Sequence, residues 1–266
     1  MKPVFLRELR VNRRSLLIWG AILMFLTFFT MSAFGAFEFE GQLDQYVELF
    51  PESMRKVFGL DQLSLNDPLG YYGTEIYIMV LLFGSIYAAI LGAGIMAKEE
   101  EEKTIEFLLA RPVSRNQVLT GKLLALLIYI LLFNALIGLS ALAAFKSYVS
   151  AAYSQATLLR LLAAPFLAHF AFACFGFLLA FFFTRRRSAM PTSIGLVLAF
   201  YFCDVLATLS EKMEFLGCLT PFHYVSAADI VINEQIGWTN ILVLLAAGAA
   251  AIGASYILYR RRDILI

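Results

Sequence analysis

Long apolar stretches dominate the chain, and short polar connections separate them. Six stretches reach about 20 residues or more, the length that a helix needs to cross about 30 Å of hydrocarbon. Such runs are far longer than a typical strand, so helices are predicted. The predicted spans cover residues 15–36, 75–97, 121–145, 157–183, 188–209 and 238–259. The pattern therefore predicts an all-α integral membrane protein with a single transmembrane domain over 1–266.

The composition excludes a water-soluble globule. Hydrophobic residues make up 61% of the 266 residues and charged residues 15%, whereas a soluble domain carries about 25% charged residues. The net charge of +1 gives no overall field that would attract a nucleic acid. The first apolar stretch exceeds the roughly 7–15 residues of a cleavable signal, so we expect a membrane anchor. The three cysteines follow no disulfide or metal-ligand pattern.

The basic residues predict the orientation. Sixteen of the 21 Lys and Arg residues lie at the two termini, in the connections that follow the second and fourth spans, or, for Lys122, at the start of the third span. Because basic residues concentrate on the inner side, both termini are expected in the cytoplasm, in agreement with an even number of spans. The chain is therefore expected to be a multi-pass protein of the cell membrane.

The connection 37–74 is predicted to form an outer helical cap. It is acidic, and a short helix is expected to begin at Pro51 and stop at Gly59. Thr74 is a candidate N-cap for the second span. We draw no functional role from the acidic residues of this cap.

The connection between the fifth and sixth spans contains a second apolar run. Residues 222–232 follow Thr220 and Pro221, a favourable helix start. Because this run is too short to cross the bilayer, a re-entrant or interfacial helix is predicted there. Trp238 then suits the headgroup belt.

The inner connection between the second and third spans predicts an amphipathic helix. Four consecutive glutamates, 99–102, favour a helix start. Ile105, Leu108 and Leu109 share one face, and the helix should stop before Pro112. Carboxylates beside an apolar face favour docking to a protein over an anionic lipid surface, although a helix that only lies on the membrane is the alternative.

With these residues the chain resembles the permease (transmembrane) subunits of the type-2 ATP-binding-cassette (ABC) exporter family. Members often have glycine where this chain has Lys103, which leaves the local backbone bend open. The resemblance extends over the whole chain, and the inner-loop motif is its most specific part. It rests on Phe5 to Arg10, Glu99 to Thr104, Glu106 to Leu109, Pro112 to Arg115, Lys122, Thr220 to Phe222, and Arg261 to Asp263.

The resemblance implies a six-span subunit that pairs with a second copy or a paralogous permease. It also implies that the inner helix is a coupling helix against a separate ABC ATPase, which binds ATP and Mg. The N-terminal stretch would be an interfacial connecting helix. The implied ATPase contacts are Glu99, Glu102, Thr104, Ile105, Glu106, Leu108, Leu109, Pro112 and Arg115.

The residues themselves agree with an ATPase on another chain. Gly121, Lys122 and Leu123 lack the upstream glycine and the following Ser or Thr of a phosphate-binding loop. No paired catalytic carboxylates, activated nucleophile or metal-ligand spacing is recognisable, so no enzyme activity, cofactor or metal site is predicted for this chain.

A few intramembrane positions are candidate sites. Asn134 and His169 both fall near the predicted midplane and could hydrogen-bond each other, either as structural contacts or against substrate. Gly84, Ala88 and Gly92 share one helix face, which predicts close packing within the chain or at a subunit seam. Asp204 is expected near the outer headgroups.

Two other classes of function stay open at this point. An ion-coupled carrier or channel would need charged groups in mid-membrane or broken helices in matching halves, which the sequence does not indicate. A membrane anchor or sensor subunit without transport could share the same architecture.

Overall fold

The computed structural model describes residues 2–37, 44, 47–101, 114–183 and 185–261. These residues form helices and turns, without a strand among them. The α-helices are α1 (Lys2–Val11), α2 (Arg13–Phe37), α3 (Glu52–Val57), α4 (Pro68–Tyr71), α5 (Ile78–Glu101), α6 (Arg115–Tyr148), α7 (Gln155–Leu179), α8 (Arg186–Leu209), α9 (Ala227–Asn233) and α10 (Trp238–Arg261). A π-helix, Tyr72–Tyr77, joins α4 to α5, and 3₁₀ segments cover Ala180–Phe182, Glu211–Leu219 and His223–Val225.

Six helical stretches in the described part of the chain are long and apolar enough to cross a membrane. Each contains one of the predicted spans or differs from it by one residue at an end, so the six-span prediction is confirmed. The stretches are Arg13–Ala36, Pro68–Ala97, Arg115–Tyr148, Gln155–Phe182, Arg186–Leu209 and Trp238–Arg261.

The start of the second span differs from the prediction. Thr74 does not cap it, because the helical stretch begins six residues earlier, at Pro68. The Asp67 carboxylate accepts a hydrogen bond from the Gly70 amide at 2.8 Å, and proline suits the first helical position. Thr74 lies within the π-helix, where its hydroxyl donates to the Gly70 carbonyl at 3.0 Å.

Helices α5 and α7 form the centre of the bundle. They pack on each other more extensively than any other pair, while α8 covers α5, α10 covers α7, and α2 lies against α6. The apolar stretch of the α5 span is 67% buried and that of α8 only 11%. Displacing α5 would therefore disturb most of the bundle, whereas few residues of α8 are fully buried.

The two ends of the bundle carry different connections. The end of α10 contacts the first turn of α6, and α1 contacts α6 further along, at Tyr129. We term this end of the bundle the proximal end. The opposite, distal end carries α3 and the connection 210–237. Helix α3 ends beside Gly59, whose φ of +68° suits a residue without a side chain.

The predicted outer cap is described only in part. Residues 38–43, 45 and 46 lie outside the described residues. The Asp44 carboxylate accepts hydrogen bonds from the Ser64 hydroxyl at 2.5 Å and the Leu65 amide at 2.7 Å. The Asp44 carboxylate therefore links two segments of the cap that lie about 20 residues apart in the sequence.

The connection 210–237 contains the predicted short helix, but this helix begins at Ala227, five residues after the start of the apolar run 222–232. A short 3₁₀ segment ends at Val225, and Ser226 then caps α9 by accepting from the Asp229 amide at 3.3 Å. The two halves, Glu211–Leu219 and His223–Asn233, meet at 85°. Ser226 has an extended backbone, which interrupts the helix, and the left-handed Glu234 ends it.

Candidate functional site

The predicted ATPase contacts fall mainly on a segment that the structure does not describe. We term residues 102–113 the coupling segment. Glu99 lies in the last turn of α5, and Arg115 is the first residue of α6. The other predicted contacts lie outside the described residues: Glu102, Thr104, Ile105, Glu106, Leu108, Leu109 and Pro112.

A capping box fixes the point where the chain re-enters the bundle after the coupling segment. The Gln117 amide donates to the Ser114 hydroxyl at 3.3 Å, and the Ser114 amide donates to the Gln117 side chain at 3.1 Å. Two otherwise unpaired amides of the first turn are thereby satisfied. Helix α6 consequently begins at Arg115, six residues before the predicted span.

A buried lysine connects the two helices that flank the coupling segment. Lys122 of α6 is 1% exposed, and its Nζ donates to the Ile95 carbonyl of α5 at 2.5 Å. A buried ammonium is costly unless it has partners. The exit of α5 and the entry of α6 are therefore held together at one point.

Helix α10 fastens the same part of α6. Arg260 Nε donates to the Asn116 side-chain oxygen at 3.3 Å, and the hydroxyls of Thr120 and Tyr256 lie 2.6 Å apart. These contacts place the C-terminal turns of α10 beside the first turn of α6.

Helix α1 packs on α6 slightly deeper in the bundle. The Tyr129 hydroxyl donates to the Leu9 carbonyl, and Glu8 is buried with one carboxylate oxygen accepting from the Asn12 side chain at 3.1 Å. Val4 is also buried, whereas Leu6 is exposed. The helix thus has one covered face and one free face, as an interfacial helix requires.

The contact between Lys122 and Ile95 is not predictable from the sequence. The partner is a main-chain carbonyl 27 residues earlier in the chain, and nothing in its side chain marks it. The available signal is a lysine at the start of the long apolar stretch of α6, which indicates a buried partner without naming it.

The structure brings Asn134 and His169 together in the middle of the bundle. His169 is fully buried on α7, and its Nδ1 lies 3.0 Å from the Asn134 side-chain oxygen on α6. Its Nε2 lies 3.2 Å from the Val80 carbonyl of α5. The imidazole therefore bridges three spans through polar contacts, and the amide of Asn134 also donates to Ile130 at 2.8 Å.

The small residues of α5 face α7 within the same chain. A side chain added at Gly84 would overlap the His169 imidazole, and one added at Gly92 would overlap the Ala173 carbonyl. Ala88 is fully buried between them. Gly176 of α7 makes a similar close contact with α5, because a Cβ there would overlap the Ala89 carbonyl. The backbones of α5 and α7 approach closely, as small residues permit.

Asp204 lies five residues before the end of α8, at the distal end. Its Oδ1 accepts from the Thr220 hydroxyl at 3.0 Å, and the same hydroxyl oxygen accepts from the His223 amide at 3.3 Å. Asp204 thereby attaches the broken connection to α8. In the described ranges, no group of three or more His, Cys, Asp or Glu side chains could hold a metal ion.

The fold and the comparison with protein families agree on the class. The bundle is a multi-span membrane protein with broken, cap-like connections at its distal end. The family model for the ABC-2 family transporter protein matches residues 3–264. The chain therefore belongs to the ABC-2 transporter family and is a membrane component of an ABC transporter. No individual curated protein matches it.

Proposed function

We propose that this chain is the permease subunit of an ATP-driven exporter in the cell membrane, with both termini in the cytoplasm. Two permease subunits, identical or paralogous, form the translocation path between them. A separate ABC ATPase binds ATP and Mg and docks on the coupling segment. Family membership supports the transporter assignment, and the basic proximal end supports this orientation.

The observation that carries the coupling proposal is the hydrogen bond from Lys122 to the Ile95 carbonyl. It joins the helix that enters the coupling segment to the helix that leaves it. A force on the segment therefore reaches α5 and α6 together rather than bending one free loop. Since α5 is the most buried span, its movement reaches α7 and α8 directly.

Movement of the ATPase subunits is thus passed to the bundle mechanically. The apolar residues Ile105, Leu108 and Leu109 supply the buried part of the docking surface, and the acidic and basic residues around them supply its polar rim. Closure of the ATPases on ATP displaces the segment, and the two permeases switch the access of the path. An aspartate in the apolar part would bring an unpaired charge into a desolvated contact.

Co-purification tests the docking proposal. Tagged full-length chain is isolated from its own membranes, and the associated ATPase is quantified by ATP hydrolysis and mass spectrometry. We expect Leu108→Asp and Leu109→Asp to lose the ATPase. Leu49→Asp, at an 80% exposed leucine of the distal end, should retain it. Normal ATP hydrolysis with both Leu108→Asp and Leu109→Asp would refute docking at this segment.

Reconstitution separates a transporter from an anchor or sensor subunit. The co-purified complex is placed in liposomes and offered panels of drugs, lipids, peptides and ions. A permease predicts ATP-dependent movement of at least one compound and stimulation of ATP hydrolysis by it. Association with an ATPase without movement of any compound would favour the anchor or sensor function.

A further inference from the structure

A cavity of about 270 Å³ lies at the distal end, within a single subunit. It is open on one side and lined by the π-helix, α5, α8 and the connection 210–237, with the end of α3 and the residues after it at the rim. Its inner wall is apolar and buried, formed by Tyr77, Leu81, Phe222 and Val225. This volume is near the lower limit of small-molecule sites, about 300 Å³. The cavity suits a compact ligand with an apolar body.

The charged groups at this cavity leave an excess of carboxylate. Lys56 lines the rim, but its Nζ is paired with Glu52 at 2.7 Å. That hydrogen bond lowers the pKa of the Glu52 carboxyl and raises the pKa of the Lys56 ammonium, so both stay charged and paired. Asp204, Asp229 and the His223 imidazole also line the cavity. Neither carboxylate forms an ion pair within 4.0 Å among the described residues.

Asp204 is the carboxylate that the fold holds in place. Thr220 donates to its Oδ1 at 3.0 Å, which fixes the orientation of the side chain. In the part of the chain that the structure describes, Oδ2 has no hydrogen-bond partner. Asp229, in contrast, is exposed at the start of α9. A cation entering the cavity would meet Asp204 at its wall.

Aromatic rings lie beside this carboxylate. Tyr201 precedes Asp204 by three residues on α8, so the two side chains share a helix face. The Tyr201 and Phe222 rings pack edge to face with centroids 5.8 Å apart. The Tyr77 hydroxyl is occupied, because it donates to the Val225 carbonyl at 2.6 Å. An anionic group next to aromatic faces is a favourable environment for an organic ammonium ion.

We propose that this distal cavity binds a small organic cation with an apolar body. The ammonium group lies beside Asp204, and the apolar part lies against Phe222 and Tyr201. The site is complete within one subunit, so it goes beyond the proposed path between two permeases and depends on neither the ATPase nor a second copy. A failure of cation binding would leave the coupling proposal untouched. A failure of the coupling proposal would likewise leave cation binding in this cavity untouched.

Binding of phenyltrimethylammonium to the purified full-length chain tests the proposal. The neutral comparison compound is 2-phenylpropan-2-ol, which has nearly the same shape without the charge. Titration calorimetry in detergent, with no ATPase present, should show saturable binding of the cation and affinity for the alcohol lower by about tenfold or more. Equal affinity for both compounds, or no saturable binding of the cation, would overturn the proposal.

Variants locate the site. Asp204→Asn preserves the shape of the side chain and should weaken cation binding about tenfold or more. Glu48→Gln, a matched change at an exposed carboxylate that does not line the cavity, should leave it unchanged. Val205→Phe adds volume to the cavity wall and should weaken binding without altering charge. If Asp204→Asn does not fold, Val205→Phe and the neutral compound still decide the proposal, and full affinity in Val205→Phe would contradict it.

Discussion

Lys122 on α6 donates a hydrogen bond to the main-chain carbonyl of Ile95 on α5, at 2.5 Å, from a side chain that is 1% exposed. The two residues lie on either side of the coupling segment in sequence. Their contact joins the two helices that flank this segment, about two turns inside each of them. The proposed coupling to an ATPase depends on this contact.

Replacing Lys122 by Met should separate the two flanking helices. The Ile95 carbonyl would lose a buried donor, which costs about 1–3 kcal/mol. We expect a lower melting temperature in detergent and weaker stimulation of ATP hydrolysis in the assembled complex. Lys146→Met removes an exposed lysine at the other end of α6 and should change neither quantity. Wild-type melting and stimulation in Lys122→Met would show that the contact is dispensable.

Gly84→Ala should destabilise the bundle. Its Cβ would overlap the His169 imidazole, and overpacking of this kind costs about 1–3 kcal/mol. Gly253→Ala is the matched control, since a Cβ there meets nothing within 4 Å. We expect that control to be neutral or to stabilise α10 by up to about 1 kcal/mol. Unfolding in a graded series of SDS concentrations measures both, and equal behaviour of the two variants would contradict the close α5–α7 contact.

The pair formed by Asn134 and His169 should act mainly on stability. A double-mutant cycle with Asn134→Leu and His169→Leu is expected to give a coupling free energy of about 0.6–2 kcal/mol. His169→Leu should lower the melting temperature while the order of compounds that stimulate ATP hydrolysis stays the same. Unchanged melting together with an altered order would instead assign the pair to substrate contact.

Cysteine labelling tests the orientation. Cys218 is exposed in the connection 210–237, while Cys174 is buried. A membrane-impermeant maleimide applied to intact cells should label the wild-type chain, and Cys218→Ser should abolish that labelling. With Cys218→Ser as background, Lys2→Cys should react only after the cells are permeabilised. The reverse pattern would place the termini, and with them the coupling segment, on the outer side.

The sequence predicts the spans well because their signal is local. A stretch of apolar residues as long as the bilayer is thick admits few structures other than a helix. The exact start of a helix is harder to predict, because several residues can cap it. In the second span, Asp67 and Pro68 start the helix, and Thr74 lies inside the π-helix that follows. The break at Ser226 is similar, because a short capping motif interrupts an apolar run that reads as continuous.

Contacts between distant residues are the part that the sequence leaves open. The midplane positions of Asn134 and His169 follow from counting along two helices, so their proximity could be anticipated. The Val80 carbonyl that also contacts His169 could not, since a main-chain atom has no sequence signature. The same holds for Ile95 opposite Lys122, and for the cavity beside Asp204, which requires a broken connection folded back on α8.

Site-specific cross-linking at Leu109 shows whether an ATPase docks on the coupling segment. A photoreactive amino acid replaces Leu109 in the coupling segment, and the full-length chain is irradiated in its native membrane. The account predicts an adduct with a protein that contains a phosphate-binding loop of the ABC type. The same replacement at Leu242, a 64% exposed residue of α10, should give no such adduct. Transport by a chain that forms no adduct with an ATPase at Leu109 would contradict the account.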